Sequence, residues 1–159
     1  MDQLLSYLPP FDGLLPKWLV LVCDFHTSSL SQAKANKAQV SVVSAANSVQ
    51  AYFSEAYTAQ LYNGRLADGR PHTNAQSSRL FGTWTLLSAV VRFTAAYNIT
   101  TPAVYDLAAC TFGLALLHFV GEWLGFGSAQ LKGRFVSPLI VASASLTWML
   151  TQRDAYLGL

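Results

Sequence analysis

The feature that most constrains this chain is a series of three long apolar stretches separated by short polar turns. Residues 80–97 carry Arg92 as their only charge, and residues 103–124 carry Asp106, His118 and Glu122. Residues 136–150 carry none. A helix that crosses a bilayer needs about 20 mostly apolar residues, with a range near 17–25. The first two stretches meet that unaided, and the third does so with Phe135 or Thr151 and Gln152 at its ends. Composition agrees, because charged residues make up only 11% of the chain and apolar ones 52%. A soluble surface takes roughly 25–35% Lys, Arg, Glu and Asp, which this chain cannot supply. Its net charge of +2, with no basic run, excludes a nucleic-acid binder. At 159 residues there is room for one compact unit. Two cysteines, Cys23 and Cys110, are too few for a disulfide framework, and Cys110 is expected to be a small core residue.

Asn98 to Pro102 forms a tight hairpin, since Pro102 cannot continue a helix. Helices so joined run antiparallel and pack side by side. Gly125, Gly127, Lys132, Gly133 and Arg134 make the next turn polar. Trp84, Trp123 and Trp148 fall near predicted span ends, where interfacial aromatics collect. The start of the chain has no basic region before its first apolar residues, so a cleaved signal peptide is not expected. Leu4, Leu5, Tyr7, Leu8 and Phe11 suit a lead-in at the membrane surface.

The N-terminal third breaks the pattern. Residues 14–22 begin like a span, yet residues 23–39 bring in Asp24, His26, Lys34 and Lys37. Charges at a span centre cost roughly 2.5–3.5 kcal/mol each, so this segment cannot sit in hydrocarbon. Setting it aside joins 14–22 to 40–53 as a span of 23 residues. Two readings stand. The segment is an insertion foreign to the fold, such as a short intron translated in frame, or it is a polar loop between a surface helix and a shorter span. The expected fold is therefore all-α, a polytopic four-helix transmembrane bundle whose first span is interrupted by a polar insertion. The chain forms one membrane domain over 1–159, with spans near 14–22 plus 40–53, 80–97, 103–124 and 136–151, and a polar loop at 54–79. Arg65, Arg70, Arg79, Lys132 and Arg134 on one side outnumber Lys17 and Arg153 on the other. That bias favours both termini in the lumen. The sequon at Asn98 lies so near the bilayer that it is expected to stay unmodified.

His118 and Glu122 are four apart and share a helix face. Ionisable groups inside a membrane are functional candidates because they are expensive. A metal site needs three or four ligands, however, and His26 and His72 lie in loops. The expectation is that His118 and Glu122 bond to each other or to Arg92. Arg92 is in turn expected to snorkel toward Asn98, or to pair with Asp106 or Glu122. Gly121 and Gly125, with small residues at Ser88, Ala89 and 142–145, suit close helix approach. No nucleotide-binding loop, nucleophile elbow or zinc motif occurs, so no catalytic, cofactor or metal residue is assigned.

The run Arg79-Leu80-Phe81-Gly82-Thr83-Trp84-Thr85-Leu86-Leu87-Ser88, with Arg92 four residues on, resembles the ergosterol biosynthetic protein 28 family. Further matches follow in order: Asn47 to Gln50, His118-Phe119 with Glu122-Trp123, Pro138 to Ser143, and Trp148-Met149-Leu150. Leu14-Leu15-Pro16-Lys17-Trp18 is similar to the fungal members, and the likeness covers 14–22 and about 40–152. It implies a non-enzymatic, multi-pass protein of the endoplasmic reticulum membrane that tethers the enzymes of sterol carbon-4 demethylation in ergosterol biosynthesis. The implied partners are the sterol carbon-4 methyl oxidase, the sterol 3-dehydrogenase/decarboxylase, the 3-keto sterol reductase, the sterol 24-methyltransferase and a second copy of the chain. Arg79, Trp84, Arg92, His118 and Glu122 would be structural or interaction positions. The alternative is a small membrane enzyme or sterol-binding carrier built on a cluster of His118, Glu122 and Arg92. Residues 23–39 depart from the family pattern.

Overall fold

The computed structural model describes residues 14, 15, 19, 48 and 50–158. Among them all regular structure is helical apart from one bridge, Arg65 to Pro71. Most of the first span expected at 14–22 plus 40–53, with the whole of 23–39, lies outside the described residues. A helical turn at 50–53 leads into α1 (Glu55–Leu61), which falls within the loop expected at 54–79. Then come α2 (Ala75–Tyr97), α3 (Pro102–Val120) and α4 (Val136–Leu157).

Local chemistry sets the ends. Asn74 caps α2 by accepting from Ser77 N at 2.9 Å, while Ser77 Oγ accepts from Asn74 N at 2.9 Å. This reciprocal cap starts the helix before the apolar run does. Pro102 sits in the first turn of α3, where a missing N–H costs nothing. Asn98 Nδ2 donates to Thr94 O at 2.9 Å, tying the sequon side chain to the end of α2. After Val120 the backbone widens into a π-turn, Gly121–Gly125, closed by Phe126 N donating to Gly121 O at 2.9 Å. A short 3-10 turn, Gly133–Phe135, then feeds α4.

α3 packs against both α2 and α4. One core cluster, at the hairpin end, holds Leu15, Leu19, Ala95, Ala96, Ile99, Tyr105, Ala108, Phe112 and Met149. The other, at the far end, holds Ala51, Leu61, Tyr62, Phe81, Phe119, Phe135 and Ala142 among others. Two helical stretches, Pro102–Gly125 and Gly133–Leu157, are long and apolar enough to cross a membrane by length and composition. α2, expected to span over 80–97, has the length, but its Ser and Thr residues and Arg92 lower its hydropathy.

Two expectations are corrected. Cys110 is exposed, in a stripe with Leu107, Leu114 and Leu117 on the outer face of α3. The small-residue approach expected at Gly121 and Gly125 is taken up by the π-turn, and a Cβ at Gly125 would meet nothing. Close approach occurs instead at Gly82, where a Cβ would lie 2.8 Å from the Ser48 carbonyl.

Candidate functional site

The far end of α3 gathers one cluster of polar groups. Two loops zip together to build it. Asn63 Nδ2 donates to Lys132 O at 2.7 Å, Gln130 N donates to Asn63 Oδ1 at 2.7 Å, and Gly64 N donates to Ser128 O at 2.8 Å. Gly64 is required, because a Cβ there would lie 2.5 Å from the Gly127 carbonyl. The clasp carries Tyr62, at the end of α1, and Ser128 onto the last turn of α3.

There the Tyr62 hydroxyl and His118 Nε2 are 2.7 Å apart. Ser128 Oγ donates to Glu122 Oε2, and Ala129 N donates to Glu122 O at 3.3 Å. His118 Nδ1 faces Glu122 Oε1 across 3.9 Å, too far for a hydrogen bond. Trp84 packs edge-on against the His118 ring at a centroid distance of 5.1 Å, and Phe81 packs on Tyr62 at 5.9 Å. Burial, with smaller effects of the Glu122 charge and Tyr57, pushes the Tyr62 phenol well above the ordinary tyrosine range. Tyr57 is raised by burial too, partly opposed by Arg134.

These groups border an open cleft of about 420 Å³, also lined by Thr58, His72, Thr73, Ser77 and Leu80. The Thr58 and Ser78 hydroxyls bond to each other behind it. Thr73 Oγ1 is buried without a hydrogen-bond partner. Among the described residues no three His, Cys, Asp or Glu side chains come together as metal ligands.

Of the residues expected from sequence, Trp84, His118 and Glu122 meet here. Trp84 is packed into the site rather than left at an interface. Arg79 is exposed on the first turns of α2. Arg92 does not join the cluster. Its Nε donates to Thr111 Oγ1 at 3.0 Å, and its guanidinium lies 4.0 Å over the Phe112 ring. Nor does Arg92 pair with Asp106, which Arg153 holds through two 2.9 Å bonds. The reason is directional. Helical side chains lean toward their own N-terminus, so Arg92 reaches away from the hairpin and Asp106 toward it. His118 and Glu122, expected to bond to each other or to Arg92, face each other at 3.9 Å and take their hydrogen bonds from Tyr62 and Ser128. Neither partner was legible, because both sit in loops that only the Asn63 clasp brings near.

The family described as Erg28 like protein matches residues 34–147. Ergosterol biosynthetic protein 28 of Schizosaccharomyces pombe is 36% identical over 159 residues, all of this chain and 98% of the relative. The Candida albicans protein of the same name is 38% identical over 146 residues, 92% of this chain and 90% of the relative. A mouse homolog is 38% identical over 112 residues, 70% of this chain and 77% of the relative. No solved structure matches.

Proposed function

The chain belongs to the Erg28-like family, and from that premise we propose that it is a non-catalytic scaffold of ergosterol biosynthesis, embedded in the endoplasmic reticulum membrane. It tethers the sterol carbon-4 methyl oxidase, the sterol 3-dehydrogenase/decarboxylase and the 3-keto sterol reductase. It also contacts the sterol 24-methyltransferase and pairs with a second copy of itself. Holding consecutive enzymes together raises the effective concentration of each for the next, to millimolar scale for short tethers.

The observation that carries this reading is the outward face of the three long helices. Leu86, Leu87, Val90 and Phe93 on α2, Leu107, Leu114 and Leu117 on α3, and Ile140 and Leu150 on α4 are all exposed. Large apolar side chains exposed in that number belong against lipid or a partner protein. Arg79, Trp84, Arg92, His118 and Glu122 then serve packing and contact, with no chemistry assigned to them.

We read the first span as 14–22 joined to 40–53, completing a four-helix bundle, with 23–39 outside it. Leu15 and Leu19 belong to the cluster of Ala95 and Ala96, while the Ser48 hydroxyl bonds Thr85 Oγ1 at 3.2 Å and Ala51 packs by Gly82. With 23–39 set aside, Leu19 and Ser48 are 12 residues apart, or about 18 Å of helix. The stretch of α2 between Thr85 and Ala96 has a similar length. Transcript sequencing across these codons separates an intron from a loop: abundant message lacking the segment supports the first, and uniform retention removes it.

The scaffold is tested by co-purification from membranes in mild detergent, with bound proteins identified, and by deletion. Deletion should accumulate carbon-4-methylated sterols while each enzyme stays active alone. An unchanged sterol profile in a clean deletion defeats the proposal.

A further inference from the structure

We propose that the cleft between α1, α2 and α3 receives the hydroxyl end of an apolar membrane alcohol of the sterol class, seated between His118 and Glu122. The choice of sterol rests on the scaffold reading above; the choice of an alcohol rests on the geometry.

Three observations support it. First, the cleft measures about 420 Å³, within the range of roughly 300–1,000 Å³ typical of small-molecule sites. It is open, so it takes the end of a longer molecule. Second, its walls include Leu80, Phe81 and Trp84, suited to a flat apolar body, beside polar atoms that include those of His118 and Glu122. Third, two of those polar atoms face each other with room for one more oxygen. Tyr62 already engages His118 Nε2, and Ser128 already engages Glu122 Oε2. What remains is Nδ1 facing Oε1 across 3.9 Å. An oxygen about 2.8 Å from each fits between them.

The protons select the ligand. A Tyr62 phenol donating to Nε2 leaves the neutral ring's proton on Nδ1, where it faces a carboxylate oxygen. The opposite tautomer would set a lone pair against that oxygen. The gap therefore offers one donor, Nδ1–H, and one acceptor, Oε1. A hydroxyl accepts from the first and donates to the second. A ketone or a methyl ether accepts but cannot donate, and leaves Glu122 Oε1 unmatched.

The test uses the full-length protein in detergent micelles with dehydroergosterol, whose fluorescence reports energy transfer from tryptophan. Saturable transfer is expected, and Trp84→Phe should weaken it, with Trp123 left as a second nearby donor. Ergosterol should compete, whereas its 3-ketone and 3-O-methyl ether should compete about tenfold less well. His118→Phe should weaken binding by a similar factor; should that variant fail to fold, the competitor series decides without any mutation. Absence of saturable transfer overturns the proposal, as does equal competition by the ether. Partner co-purification on the same samples keeps the two readings apart. Partners retained without sterol binding defeats only the cleft, and sterol binding without partners defeats only the scaffold.

Discussion

Tyr62 and Arg92 show how single side chains are fixed by what surrounds them. Tyr62 lies against Phe81 and His118, and the nearby Glu122 charge adds to burial in keeping its phenol protonated. The folded state therefore holds that proton more tightly than the unfolded chain, whose tyrosines ionise near 10. Stability from this source is whole below pH 10 and is lost as pH rises above it, by up to about 1.4 kcal/mol per pH unit. Alkaline melts in detergent should thus fall more steeply for the wild type than for Tyr62→Phe above pH 10. Parallel curves would mean the phenol is not buried. Arg92 combines a planar contact over Phe112 with a bond to Thr111. A lysine cannot lie flat and donate from the same fork, so Arg92→Lys should cost about 1–2 kcal/mol in a thermal melt. No change in midpoint would contradict that account.

At the scale of elements, what could be read from sequence was what neighbouring residues decide. Pro102 marked the break between α2 and α3, and the apolar runs marked the bodies of α2, α3 and α4. The cap at Asn74 was equally local, but it lay in a stretch read as loop because its helix turn is polar. Long-range features were hidden. Gly82 reads as one glycine among many, yet it admits the Ser48 backbone, a partner on the far side of the polar segment. Gly121 and Gly125 have the right spacing for helix approach but sit where the chain changes pitch. Spacing gives candidates, and only tertiary placement tells which glycine is used. Gly82→Ala should therefore destabilise by about 1–3 kcal/mol, since the obstructing atom is backbone and cannot rotate away. Gly125→Ala, with open space around it, should cost far less. Midpoints of the two variants in one detergent compare them directly, and equal losses would remove the distinction.

For the whole molecule, the disposition of charge and apolar surface follows one logic. The Arg153–Asp106 pair joins α4 to α3 at the hairpin end, and the Asn63 clasp joins the loops at the other, while the stretch between turns leucines outward. Composition announced this, because a chain with so little charge cannot cover such a surface with water-seeking groups. It could not announce which residues turn inward, and Cys110 is the case in point. An apolar neighbourhood suggested a core thiol, but on α3 the inward positions are Tyr105, Ala108, Phe112, Ala115 and Phe119, and Cys110 falls between them. With Leu107, Leu114 and Leu117 it forms a stripe that faces lipid if the bundle spans. Lipid around that thiol would keep a water-soluble reagent away from it. In a Cys23→Ser background, Cys110 should resist a water-soluble maleimide in intact or opened membranes and react within minutes once denatured in dodecyl sulfate. A true core cysteine would behave the same way, so the second arm uses Leu114→Cys and Ala108→Cys in a Cys110→Ala background. The exposed position should accept a membrane-dissolved thiol reagent and the buried one should not. Rapid labelling of Cys110 by the water-soluble reagent in native membranes would place α3 outside the bilayer, and the scaffold reading would lose its physical basis.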